Sequence, residues 1–173
     1  MAKHSSNSKL TFSVPTPAVA AELTDLAMRS KAHWGYDEAF MQACRPELTV
    51  TDEDLANADS YYCIAQLYES LERKLIGFYK LQVQTQQRVE LDALFVDPKY
   101  IGQGIGRVLF NHAEGFATAL GASEMLVQSD PNAVEFYQTM GGVVFGETAS
   151  GSISGRQLPV LKFALGSEGT LNR

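Results

Sequence analysis

The segment "LFVDPKYIGQGIGRVLFNHAEGFATALG" (94–121) sets Gly102, Gly104 and Gly106 between an apolar run and a long one-sided pattern. Glycines this close together let backbone approach what a side chain would obstruct. A glycine-rich turn that opens a helix presents N–H groups to an anion, and the helix dipole adds to the attraction. Two better-known phosphate patterns are excluded by spacing. No GxxxxGK[ST] string is present, and GxGxxG fails in both frames, ending on Arg107 from Gly102 and on Leu109 from Gly104. A tight corner without a ligand explains the glycines equally well on spacing alone. Upstream, Glu90 and Asp92 lie two apart in "RVELDALFV" (88–96), so a strand there points both carboxylates to one side. Such charges are costly to bury without partners, whereas positions near a strand end leave them solvated. In "SKAHWGY" (30–36), His33, Trp34 and Tyr36 offer an aromatic wall for a cation or an apolar ligand. Core packing by the only tryptophan is the plainer explanation.

The elements that must position these residues follow from periodicity. "LTFSV" (10–14) is a short β-like run stopped by Pro15 and Pro17. Val19, Leu23, Leu26 and Ala27 fall at helical spacing. "GYDEAFMQACR" reads as a second helix ended by Pro46, and "VTDEDLANA" as a capped turn. The period then changes to that of strands at 60–69, 74–84 and 88–96, joined by short polar turns, which predicts an antiparallel meander. After the glycines, Ile105, Val108, Leu109, Ala113, Phe116 and Leu120 predict a one-sided helix closed by Gly121. "SEMLVQS" (123–129) is the next strand, and the strand–helix–strand order makes it parallel to 88–96. Asp130 caps a helix with Pro131 at its first position, carrying Ala133, Phe136, Tyr137 and Met140. "VVFGE" and "QLPVLKFAL" close the chain as strands, with "TASGSISG" between them as a mobile loop. The predicted fold is α/β (α+β), a mixed, mainly antiparallel sheet.

The 173 residues suit one domain with a substantial core. A net charge of −6 argues against a broad nucleic-acid surface. No apolar run reaches a membrane span, and "MAKHSSNSKL" lacks the apolar stretch of a signal peptide. A short mobile tail at each end and a soluble, cytoplasmic protein are expected. Cys44 and Cys63 have no metal-ligand spacing and read as buried free thiols, so no metal site is expected.

"LDALFVDPKYIGQGIGRVLF" resembles the strand, loop and helix of the GNAT (general N-acetyltransferase) family, whose signature is R/Q-x-x-G-x-G/A at the helix start. "DPNAVEFYQTMGG" (130–142) is similar to that family's second motif. The resemblance runs over residues 10–165, the span of the single predicted domain, and implies a twisted sheet of six to seven strands flanked by helices on both faces. Three departures stand out. Ile101 replaces the usual Arg or Gln, Gly142 replaces a common Phe, and Asp130 stands where many members have Asn.

The resemblance implies acetyl-CoA as co-substrate, with its pyrophosphate on the backbone of Gly102, Gln103, Gly104, Ile105, Gly106 and Arg107. The Arg107 side chain either contacts it or remains a solvated helix charge. The resemblance also places the pantetheine arm along Leu94, Phe95 and Val96, where free backbone groups pair with it as an added strand would, and counts Asn132 and Phe136 among the cofactor-binding residues. The Leu94 amide is in position to donate to the thioester oxygen, where negative charge collects during attack. Tyr137 matches the family's general acid for the leaving thiolate; on spacing alone it is one more aromatic of a buried face. One of Asp92 and Glu90 takes the amine's proton, directly or through water, or binds the cationic acceptor; Asp92, nearer the proposed acetyl position, is placed ahead. His33, Trp34 and Tyr36 stand where family members line the acceptor pocket, and His112 reads as a surface or packing residue. The expected function is direct acetyl transfer to a primary amine of a small molecule or peptide. The alternative is a non-catalytic CoA-binding sensor or assembly module, toward which Ile101 leans. Oligomeric state is left open, a homodimer included.

Overall fold

A computed structural model describes residues 9–69 and 72–166. The expected tails fall outside these residues, apart from Lys9, which opens the first strand, and Gly166. In chain order the elements are β1 (Lys9–Ser13), α1 (Ala20–Ala32), α2 (Glu38–Leu48), α3 (Asp52–Ala56), β2 (Ser60–Glu69), β3 (Glu72–Val83) and β4 (Arg88–Val96). They continue with α4 (Ile105–Ala119), β5 (Glu124–Gln128), α5 (Val134–Thr139), β6 (Val143–Ala149) and β7 (Gln157–Ala164). One seven-stranded sheet runs in the order β1-β2-β3-β4-β5-β7-β6. Short turns make β2, β3 and β4 an antiparallel meander, and the α4 crossover makes β4 and β5 the parallel pair, as their spacing predicts. The last strand inserts between β5 and β6, antiparallel to both.

Helices pack on each face of the sheet, leaving β6 largely exposed. On one, Leu109, Phe110, Ala113 and Ala117 of α4 pack over Leu81, Val89, Leu91, Met125 and Val127. On the other, Leu23, Leu26 and Ala27 of α1 and Met41 and Cys44 of α2 pack over Tyr62, Ile64 and Phe78. Two β-bulges modify the alternation between faces. Ala65 pairs with Gly77 and Gln66 with Leu75, so Ile76 is the extra residue of β3 and turns toward α4. Next to it, a Cβ on Gly77 would lie 2.8 Å from Leu109 Cδ1, so the missing side chain is what lets α4 sit this close. The second bulge leaves Asp92 unpaired, because Lys80 pairs with Ala93 and Leu81 with Leu91.

Several local expectations are corrected. Pro46 lies inside α2, which continues to Leu48. Proline in a helix removes a hydrogen bond and costs roughly 3 kcal/mol, and burial of Cys44 and Leu48 against the second core offsets it. The Gly/Ser-rich connection between β6 and β7 is anchored rather than loose: Ile153 packs on the second core, and Ser152 Oγ lies 3.5 Å from Cys44 Sγ of α2. Gly142 has a packing reason for lacking a side chain, since the Phe163 ring of β7 occupies the space a Cβ would need. Both cysteines are free and buried.

Candidate active site between the diverging strands

β4 and β5 pair only over Arg88–Glu90 with Glu124–Leu126 and then separate. The Asp92 bulge lies just past this point, where the added bend and twist turn β4 away from its neighbour. A cavity of about 1000 Å³ opens there, lined by Glu90–Val96 of β4, Val127 and Gln128 of β5, and Phe136 and Tyr137 of α5. The Asp97 N–H donates to the Ile76 carbonyl at 2.8 Å. In an antiparallel ladder the residues bonded to a given neighbour alternate, so Phe95 also directs its backbone toward β3. Leu94 and Val96 therefore turn their N–H and C=O groups into the opening, and Phe95 reaches it with its side chain alone.

The glycine turn closes one end of this cavity. Asp97 accepts from Lys99 N–H at 3.0 Å and from the Arg29 guanidinium at 2.9 Å. Burial opposes ionisation of Asp97, but these donors outweigh it and hold the carboxyl below its ordinary range. Gly102 and Gly104 have φ of +80° and +83°, a conformation other L-residues adopt only under strain. No atom lies within 4 Å of either missing Cβ, so backbone sign rather than crowding demands glycine. Gly104 is the N-cap of α4, and the first helical bond runs from Val108 N–H to Gly104 O at 3.1 Å. The N–H groups of Ile105, Gly106 and Arg107 are left without helical partners. Ile101, Gly102, Gly104, Gly106 and Arg107 line the cavity. Gln103 and Ile105 do not line it: the Ile105 side chain packs against the core, and Gln103 Nε2 donates to Lys99 O at 2.9 Å.

Tyr137 is 7% exposed, with the rings of Phe136, Phe110 and Phe163 at 5.1, 6.1 and 6.4 Å. Burial, with the Asp130 charge added, pushes its phenol above the ordinary tyrosine range. Among the described residues its hydroxyl has no hydrogen-bond partner, and its access to solvent is through the cavity it lines. Glu90 and Asp92 line the same cavity with different surroundings. Asp92 is paired with Lys80 Nζ at 2.7 Å. Burial, with Asp92 beside it, raises the Glu90 pKa, while hydrogen bonds from Gln128 and Gln84 partly counter the shift.

The segment 30–36 does not form one aromatic wall. Trp34 lines the cavity and is 45% exposed. His33 meets Trp34 edge-on at 5.8 Å and does not line the cavity. Tyr36 stacks on Phe40 at 3.9 Å and donates its hydroxyl to Asp130 at 2.9 Å. Asp130 also accepts from Lys31 Nζ at 3.2 Å, Arg156 Nη2 at 3.1 Å and Asn132 N–H at 3.0 Å. Asn132 Nδ2 reaches the Tyr36 hydroxyl at 3.0 Å. Burial opposes ionisation of Asp130, yet these donors hold its pKa below the ordinary value. Lys31, Arg156, Lys80 and Gln128 were not among the residues singled out by spacing. Lys31 lies inside the 30–36 segment, but its contact with a residue 99 positions away has no local signal. His112, on the face of α4 away from the opening, stacks on Phe12 and bonds Tyr79 Oη at 2.9 Å. Among the described residues no group of three or more His, Cys, Asp or Glu is placed to hold a metal, and no helix is long and apolar enough to cross a membrane.

Residues 22–141 match the family model described as "Acetyltransferase (GNAT) family". The peptidyl-lysine N-acetyltransferase YjaB of Salmonella typhimurium is 38% identical over 71 residues, covering 41% of this chain and 47% of that protein. Its Escherichia coli counterpart is 35% identical over 89 residues, covering 51% and 55% respectively. The chain thus spans about half the length of the curated relatives it matches. Among solved structures, the PaiA N-acetyltransferase of Thermoplasma acidophilum in complex with coenzyme A superposes with a TM-score of 0.72. That match covers 90% of this chain and 99% of the other at 20% identity, a likeness of fold.

Proposed function

Since the chain belongs to the acetyltransferase (GNAT) family, we propose that it transfers an acetyl group from acetyl-CoA to a primary amine by direct attack. The observation that carries this reading is the opening between β4 and β5, which sets unpaired backbone groups beside a buried tyrosine hydroxyl that has no hydrogen-bond partner among the described residues. The coenzyme A bound to PaiA and the peptidyl-lysine acetyltransferase relatives support the same donor and a primary-amine acceptor. The residues 10–165 act as one acetyltransferase domain in this reading.

Each group then has a task. The N–H groups of residues 104–107 meet the pyrophosphate, reinforced by the α4 dipole and the Arg107 charge. The glycines fit this task because the turn leaves main chain, not side chains, toward the cavity. Leu94 and Val96 pair with the pantetheine arm, and the Leu94 N–H stabilises charge on the thioester oxygen. Glu90 takes the amine's first proton: Asp92 is already neutralised by Lys80, and the raised pKa makes Glu90 the stronger base. Attack forms the C–N bond as the C–S bond breaks, and Tyr137 gives its proton to the departing sulfur. The nitrogen's second proton restores the phenol, so an ammonium acceptor yields amide, thiol and one released proton.

The test is thiol release with mass detection of product across a panel of primary amines. Equimolar CoA thiol and N-acetylated amine is the expected result. Binding of acetyl-CoA without transfer to any amine would point instead to a CoA-binding module.

A further inference from the structure

At the cavity wall beyond the end of β5, two cations share a single carboxylate. The side chains of Lys31, Arg156 and Asp130 are 14%, 15% and 15% exposed, so a net positive charge is largely withdrawn from water. Asp130 is saturated by its donors from Lys31, Tyr36, Arg156 and Asn132. Among the described residues Lys31 makes one hydrogen bond, with an ammonium that has three N–H donors. On one side both cations rest on the Tyr36–Phe40 stack, with Lys31 Nζ 5.4 Å and Arg156 Cζ 5.3 Å from the Tyr36 ring centre. On the other side both line the cavity. A desolvated surplus cation is costly unless an anion joins it, and ring faces offset only part of that cost.

Position suggests whose anion it is. Glu90 pairs with Leu126 of β5, and Asp130, which holds the cations, follows four residues on; Glu90, Gln128 and Asp130 all line the cavity. A base for an amine and a seat for an anion therefore line the same cavity. We propose that Lys31 and Arg156 form a carboxylate-binding subsite and that the acceptor is an amino acid, held by its carboxylate with its amine toward Glu90. This rests on the acetyl-transfer reading above and narrows its substrate. A purely structural role, with Arg156 latching the β6–β7 connection, is the competing explanation.

The probes are 2-aminobutanoate and its neutral isostere 2-aminobutanamide. The expected preference in kcat/KM is roughly 10- to 100-fold for the carboxylate, as for hydrogen bonds to charged groups. Lys31→Gln should collapse that preference by raising KM for the carboxylate probe. A merely structural lysine would slow both probes alike and keep their ratio, which overturns the proposal. So does a lysine peptide lacking a free carboxylate if it outperforms 2-aminobutanoate. Calorimetric titration of the CoA-loaded protein with 2-aminobutanoate gives a readout without turnover. Binding that Lys31→Gln weakens, with no acetylation of any amine, keeps the subsite and rejects the transfer reading; absence of binding rejects the subsite.

Discussion

Replacing Tyr137 with phenylalanine removes one oxygen and leaves the ring where it packs. The rings of Phe136, Phe110 and Phe163 surround it, and the hydroxyl bonds to no protein group among the described residues. The folded state therefore loses almost nothing, and stability should stay within about 0.5 kcal/mol of wild type. The rate should change far more. General acids contribute about 10²–10⁴-fold, roughly 2.7–5.4 kcal/mol of barrier. Burial raises the Tyr137 phenol above its ordinary range, which makes it a weaker acid toward a thiolate whose own conjugate acid has a pKa near ~8.5. The loss should accordingly fall near the lower end, about 10²-fold in kcat. Thiol release at saturating acetyl-CoA measures it, with CoA affinity from calorimetry and melting as controls. A kcat within twofold of wild type would refute the assignment. So would a loss matched by equal loss of CoA affinity, because the ring and not the hydroxyl would then be responsible.

Other substitutions test other parts of the site. Glu90→Gln should abolish the acid limb of the kcat/KM profile; in wild type that limb lies above the usual carboxylate value of ~4.3, because a base with raised pKa must lose its proton before it acts. Persistence of the limb in the variant would move the base elsewhere. Gly104→Ala forces a side chain into φ +83° and should cost about 1–2 kcal/mol, whereas Gly115→Ala, inside α4 with open space around it, should stabilise by about 0.5–1 kcal/mol. Melting curves separate the two, and equal effects would contradict the left-handed cap. Asp97 has a lowered folded-state pKa, so its contribution is present above the unfolded value of ~3.9 and fades as pH falls through the folded one. The stability gap between wild type and Arg29→Ala should therefore narrow in acid; a gap constant to pH 2 would argue against the Arg29–Asp97 pair.

Much of the frame was legible because it depends on neighbours in sequence. Turn lengths imposed the β2–β3–β4 meander, and the apolar face of α4 after Gly104 required a parallel return into β5. The insertion of β7 between β5 and β6 has no local signal, since either edge accepts an antiparallel partner. Pro46 misled because its local cost is visible and the burial that offsets it is not. At the site, the shared face of Glu90 and Asp92 follows from a period of two, and both do line the cavity. Their difference comes from Lys80, brought beside Asp92 by the register of β3. Tyr36 could be singled out as an aromatic but not as a hydroxyl bonded to a residue 94 positions away.

The central claim is that coenzyme A lies along the open edge of β4 with its diphosphate at the start of α4. Backbone amide shifts followed during titration with CoA test it most directly. The largest changes should fall on Leu94, Val96 and Gly102–Arg107. Saturable binding that leaves those amides unmoved, or no binding at all, would contradict it.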